Sequence, residues 1–155
     1  MSTVAKLLAV ALALFLTGCD PKPVVVLDGD RRAYFGVWEH TGSEYGNGVN
    51  SDNLLLIFHP DSSVSYKRCI NRLNGYHYVT LPDASITRLT DKELVISRGL
   101  WIFNWSETLP LGGTPLAAGD QWYLQVDGLK LRKLKSGEPS THEAWKCESK
   151  KKDSD

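Results

Sequence analysis

The chain has 155 residues, with 18 basic and 18 acidic side chains, 42% hydrophobic residues and three cysteines. That length suits one domain with a sizeable core rather than two. The balanced charge gives no basic footprint for nucleic acid, and no nucleic-acid partner is expected.

The N-terminus carries one base, Lys6, followed by the apolar run Leu7 to Leu16. A bilayer-spanning helix takes about 20 apolar residues, so this shorter run reads as the core of a signal peptide. It ends in Leu16-Thr17-Gly18-Cys19. This stretch resembles a bacterial lipobox: an aliphatic residue, two small residues and a cysteine. The resemblance implies that residues 1–18 are a cleaved lipoprotein signal peptide. It also implies that Cys19 takes up a diacylglycerol, and that its freed amine is acylated. One acyl chain binds a membrane only marginally, at about 0.8 kcal/mol per buried methylene, so two or three make a lasting anchor. Asp20 resembles the residue that holds enterobacterial lipoproteins at the periplasmic face of the inner membrane, with the outer membrane as the alternative. Residues 19–32, with Pro21 and Pro23, read as a lipidated tether, to which "VVV" (24–26) adds a short edge strand.

With Cys19 given to lipid, Cys69 and Cys147 remain in a compartment that permits disulfides, and a bridge between them is expected. Two free buried thiols are the alternative. Such a bridge constrains the unfolded chain by about 4–5 kcal/mol in the loop-entropy account.

Residues 33–147 form a series of short β-rich runs broken by turn residues, without a helical period. "AYFGVWEH" is the first, and a glycine- and asparagine-rich loop leads to "LLLIF" (54–58). "HPDS" turns the chain into "SVSYKRC", and "GYHYVTL" and "SITRLT" follow as two strands. Thr90-Asp91-Lys92 turns into "ELVIS". "GLWIFNW" places Trp101, Phe103 and Trp105 on one face by the two-residue repeat. "QWYLQV" and "LKLRKL" flank Asp127-Gly128, the strongest hairpin signal in the chain. The end of the chain, 148–155, is a polar tail.

Short strands with hairpin-scale links point to an all-β fold: a small antiparallel up-and-down barrel of about eight strands. Arg98-Gly99 is ambiguous. A turn there makes nine strands and a bulge makes eight; the bulge is favoured because it lets the segment after Leu134 climb back to bring Cys147 to Cys69. With Gly36-Val37-Trp38 in the first strand, the chain resembles a lipocalin-like barrel. That resemblance implies a basic side chain on the last strand packed over Trp38, for which Arg132 is the candidate. It departs from the pattern at Thr90-Asp91, which lacks an aromatic third residue, and in having no helix before the C-terminal segment.

No residue pattern argues for an enzyme, a metal site or a cofactor. His40, His59, His77 and His142 have no metal-ligand spacing, and no nucleophile motif is present. His59 and His142 read as solvated, and His77 as structural. Two features are candidates for binding. The stripe Trp101, Phe103 and Trp105 either fills the core or lines a ligand or partner site. The stretch Ser106 to Asp120, read as a long loop, carries Leu109, Leu111 and Leu116 among glycines and prolines, and is a lid, a contact surface or packing under the barrel. The expected function is non-catalytic binding by a membrane-anchored periplasmic lipoprotein. Its ligand is a small apolar molecule in a lipocalin-like barrel or, alternatively, an envelope protein partner, as for an assembly factor, inhibitor or immunity protein.

Overall fold

The computed structural model describes residues 25–43, 51–72, 75–100, 103–142, 145 and 147. Cys19, Asp20 and the signal segment, Trp101, and the tail 148–155 lie outside the described residues.

The domain is all-β, as the alternating runs require: nine antiparallel strands in one curled sheet that forms a half-barrel. The strands are β1 Gly36–Ser43, β2 Ser51–Phe58, β3 Ser63–Arg72, β4 Gly75–Leu89, β5 Glu93–Leu100, β6 Phe103–Pro110, β7 Leu116–Ala118, β8 Gln121–Val126 and β9 Leu129–Lys133. Their order is β6-β5-β4-β3-β2-β1-β9-β8-β7, a meander in which the first and last strands pair with each other. The open seam lies between β6 and β7. It is drawn together at one place, where the Pro110 carbonyl accepts from the Asp127 amide and the Gly112 amide donates to Gln125. Leu111 meanwhile donates to Lys92 on the β5 side and bridges to Val126.

Turn chemistry accounts for the tight connections. Asp127 and Gly128 both adopt positive φ (49° and 78°), as a two-residue hairpin requires. Between β4 and β5 the Thr90 hydroxyl accepts from the Lys92 and Glu93 amides. Between β2 and β3, Asp61 accepts from the amide and hydroxyl of Ser63.

Two breaks differ from the sequence reading. "GYHYVTL" and "SITRLT" are one strand, β4, which passes through Pro82 and a positive-φ Asp83 with a register shift against β3. A bulge bends a strand without ending it, and it tolerates the missing N–H of proline. Gly99, by contrast, is no bulge: it pairs with Asn104, and the chain reverses just beyond it, making β5 and β6 a hairpin. The supposed loop after Ser106 is therefore mostly strand.

The concave face is filled. Trp38, Leu54, Leu56, Phe58, Val64, Ile86, Leu94, Ile96, Leu109, Leu124, Val126 and Leu131 are all essentially inaccessible. Each comes from the inward parity of its strand, the face that a period of two selects. The base of this core is plugged by residues expected to be tether. Val25 donates to Ile86 and the Leu27 amide to the Ser62 hydroxyl, Leu27 is buried, and a 3₁₀ turn over Gly29–Tyr34 brings Tyr34 against Phe58. Leu27, expected in the tether, and Tyr34, expected in the first strand, both have apolar surface to bury and pack here against the core.

On the convex face, the segment after β9 runs as a strap back across β1 and β2 to β3. Leu134 continues the β1 pairing through Val37. The Glu39 carboxylate then accepts from the Ser140 hydroxyl and from the amide and hydroxyl of Thr141. The strap ends at Cys147, disulfide-bonded to Cys69 as expected, with 6.0 Å between the α-carbons. Beneath it Glu39, Leu55 and Cys69, all outward by parity, are buried.

Candidate functional site

Three parts of the molecule carry side chains that the core does not consume: the base, the mouth and the upper arms. At the base, Gly36 has a φ of +115°, and a β-carbon there would sit 3.0 Å from Lys133 Cε. Glycine is therefore needed both for the backbone and for the lysine stem. Lys133 Nζ lies 5.2 Å from the Trp38 ring centroid and 5.9 Å from that of Trp122, and it donates to the Ala33 carbonyl. Burial pulls its pKa below the usual lysine value. The Trp38 indole is satisfied by the Tyr34 carbonyl at 2.6 Å.

The cation over Trp38 is thus Lys133, not Arg132. Trp38 faces Lys133 in the register, whereas Arg132 faces Glu39 on the convex side and bonds Glu138. Glu138 is held below the ordinary glutamate pKa by the Lys135 amide and by Arg132. Beside this base lies a half-open hollow of about 450 Å³, walled by Tyr34, Leu89, Pro115 and Trp122 and edged by Asp30 and Asp91. Burial, with the negative charge of Asp91, raises the Tyr34 pKa.

At the mouth, Arg68 bridges two carboxylates: Asp52 on the neighbouring strand and Asp127 in the β8–β9 turn. Its charge is locked on, chiefly by the Asp52 hydrogen bond. This clasp ties β2 and β3 to the far hairpin above the core. Tyr66, directly below, is pushed up to about 12, mainly by burial.

The sheet forks below the level of the clasp, since Arg68 pairs with Val79 and the outermost β4–β5 pair is Ser85 with Ser97. β4 pairs with β5 only from Ser85 to Leu89 on β4, against Ser97 to Leu94 on β5. Beyond Ser85, β4 continues to Gly75 on the β3 side alone. Beyond Ser97, β5 continues to Leu100 on the β6 side alone. Extended chain rises about 3.4 Å per residue, so the β4 arm runs about 30 Å past the fork and the β5 arm about 10 Å. The outer part of the β4 arm, Tyr76-His77-Tyr78-Val79-Thr80, extends past the end of the β5 arm and carries no carboxylate, lysine or arginine. Tyr76 and Tyr78, opposite Asn71 and Cys69, lie on the convex side and are 42% and 40% exposed. Lys67 sits 5.9 Å from the Tyr78 ring centroid and 5.8 Å from that of Trp145.

The expected binding residues separate. Leu109 and Leu111 belong to the core. Leu116 is exposed on β7, beside a second hollow along the seam with Tyr123 and Lys130. Trp105 neither fills the core nor lines an enclosed pocket: it pairs with Arg98 on the β5–β6 arm and is 39% exposed. It shares the inward parity of Leu109, but the hairpin outruns the barrel. Phe103 stands two residues further out on the same arm, and Trp101 lies outside the described residues.

Of the histidines, His59 bonds Ser65, His142 bonds Ser140 and His40 meets the Lys130 carbonyl, while His77 is exposed rather than structural. Among the described residues no three His, Cys, Asp or Glu side chains converge as a metal set. The sequence reading missed Lys133, which the Leu129/Leu131 alternation places inward, and the Arg68 clasp, which no local pattern announces. Compared with family models, with curated proteins and with solved structures, the chain matches none.

Proposed function

We propose that this chain is a bacterial envelope lipoprotein, anchored through Cys19, that works by binding another protein on the outside of its sheet. The observation that carries this reading is the filled interior. The face on which a lipocalin-like barrel holds a ligand is occupied here from Trp38 to Tyr66. A typical small-molecule site needs roughly 300 Å³ or more of concave space, and hollows of that size lie outside the core, at the base and along the seam. What is left for recognition is the exterior: exposed aromatics on the upper arms and unpaired strand edges. Among the described residues no nucleophile, base and orienting group are brought together, and assembly, inhibition or immunity are the roles that fit.

Affinity capture of the lipidated chain from detergent-solubilised envelope tests this reading. One stoichiometric protein partner is expected. Recovery of a lipid or other small apolar molecule in organic extract, with no protein partner, would overturn it. Cys19→Ser checks the anchor separately: the variant is expected to leave the detergent phase and to lose the acyl mass.

A second reading keeps a small apolar ligand but moves it to the base, on the strength of the hollow between Tyr34 and Trp122. Quenching of Trp122 fluorescence by such a ligand, abolished by Trp122→Ala, is the result it requires.

A further inference from the structure

We propose that the hollow at the base holds an alkylammonium ion, a primary amine on a short apolar stem, an inference that rests on the second reading above. Tyr34 and Trp122 receive the cation, and Asp30 and Asp91 supply its counter-charge. The hollow is assembled from parts of the chain far apart in sequence: the 3₁₀ turn over Gly29–Tyr34, the β4–β5 turn, and Pro115 and Trp122 from around β7. Both sides are braced. The Thr90 hydroxyl, accepting from the Lys92 and Glu93 amides, holds the turn that carries Asp91. On the other side the Trp38 indole donates to the Tyr34 carbonyl, and the Tyr34 ring rests against Phe58.

Unanswered polar groups define the occupant. Asp30 and Asp91 are exposed at the rim, and among the described residues neither carboxylate has a hydrogen bond or an ion pair. Tyr34 is only 4% exposed, yet its hydroxyl has no hydrogen-bond partner among the described residues. A nearly enclosed hydroxyl normally finds a partner, and a ligand's N–H can be one. That oxygen faces the hollow: Asp91, on the rim, raises its pKa, and the opposing effect of Arg31 is smaller. The field there therefore favours a cation. Arg31 itself reaches back to the Val26 carbonyl and pairs with neither aspartate. Lys133 is bonded to the Ala33 carbonyl and is not part of the wall. Leu89, Pro115 and the two rings give the stem an apolar lining, and an aromatic face attracts an ammonium within about 6 Å of its centre. An anionic ligand would meet both aspartates, and a neutral hydrocarbon would leave them and the phenol unanswered.

Hexylammonium, hexanol and hexanoate share a stem and differ in charge, so titrating each into the isotope-labelled protein isolates the cation. Hexylammonium is expected to shift the Trp122 indole and the amides of residues 30–34 and 90–92 saturably. Hexanol should bind at least about tenfold more weakly, and hexanoate not at all. Changing Asp30→Asn and Asp91→Asn together should weaken the amine about tenfold and leave hexanol unchanged; both positions are exposed, so the fold is kept. Tyr34→Phe, which removes only the unpartnered hydroxyl, should weaken it about threefold. Dihexanoyl phosphatidylethanolamine, kept below micelle formation, separates two sources of the same amine. Its binding through the same residues assigns the site to a lipid headgroup, and its exclusion while hexylammonium binds assigns it to a soluble amine. Hexanol binding as tightly as hexylammonium, or amine binding indifferent to the aspartate variants, would overturn the cation site while the hollow stands as an apolar pocket. Shifts located elsewhere, or no saturation by any probe up to about 10 mM, would overturn both.

Discussion

The lower and upper halves of the sheet use the same strands for different ends. Below Ser85 and Ser97, most inward positions outside β7 are spent on a common core, plugged by Leu27 and Tyr34 and closed over Gly36 by Lys133. Above that line β4 and β5 no longer pair; Ala84 and Leu81 still belong to the core, and beyond them Tyr76, Tyr78 and, on β6, Trp105 are about 40% exposed. Stability is thus concentrated below the Arg68 clasp, and surface available for recognition above it. Local stability differing across one sheet is what a scaffold with a working end should show.

The largest effects that would break this contrast lie in the core and the strap. Phe58→Ala is expected to cost about 3–5 kcal/mol by denaturant unfolding, whereas Trp105→Ala should cost less than about 1 kcal/mol despite removing a larger ring. Comparable losses would put the upper arm inside the core. Reducing the Cys69–Cys147 bridge should remove about 2–5 kcal/mol, seen as a lower melting temperature with the strap released.

Next comes the buried phenol. Because Tyr66 is raised from 10.0 to about 12, the folded state holds a proton that the unfolded chain gives up earlier. Stability attributable to it is complete below pH 10 and is lost as the pH rises toward 12, amounting to about 3 kcal/mol. Absorbance titration of Tyr66→Phe should lack this late step.

A smaller effect attends Glu39→Gln. It weakens three charge-assisted bonds to the strap, at about 1–3 kcal/mol in all, and hydrogen exchange should quicken at Thr141 while the core stays protected. Smallest of all, Tyr78→Ser should move stability by no more than about 0.5 kcal/mol. Any larger loss would mean that Tyr78 holds the fold rather than facing a partner.

How much of this was legible depends on whether the deciding contact is local. Period-two alternation marked β3, β8 and β9, the continuous apolar run Leu54 to Phe58 marked β2, and the positive φ that Asp127-Gly128 supplies marked its hairpin. Pro82-Asp83 and Arg98-Gly99 were misread in opposite senses, the first as an end and the second as a bend. Local turn propensity reports that a strand is interrupted; whether it bends or reverses is decided by pairing with β3 and β6, distant in sequence. The second half of β6, from Ser106, was read as loop because its inward position Glu107 is polar and breaks the alternation between Trp105 and Leu109. Lys133 was legible, since Leu129 and Leu131 fix the parity; the preference for a guanidinium over an indole drew attention to Arg132, one residue off. The fork depends on where two strands cease to pair, and no residue type encodes that alone.

Amide exchange along β4 in the free protein tests the account most directly. With β3 on one side and no strand among the described residues on the other, successive amides from Tyr76 to Thr80 should alternate between slow and fast, while those from Ser85 to Leu89 are slow throughout. Uniform protection up to Tyr76 would mean that this edge of β4 is covered and that the upper arm is not the free surface the account requires.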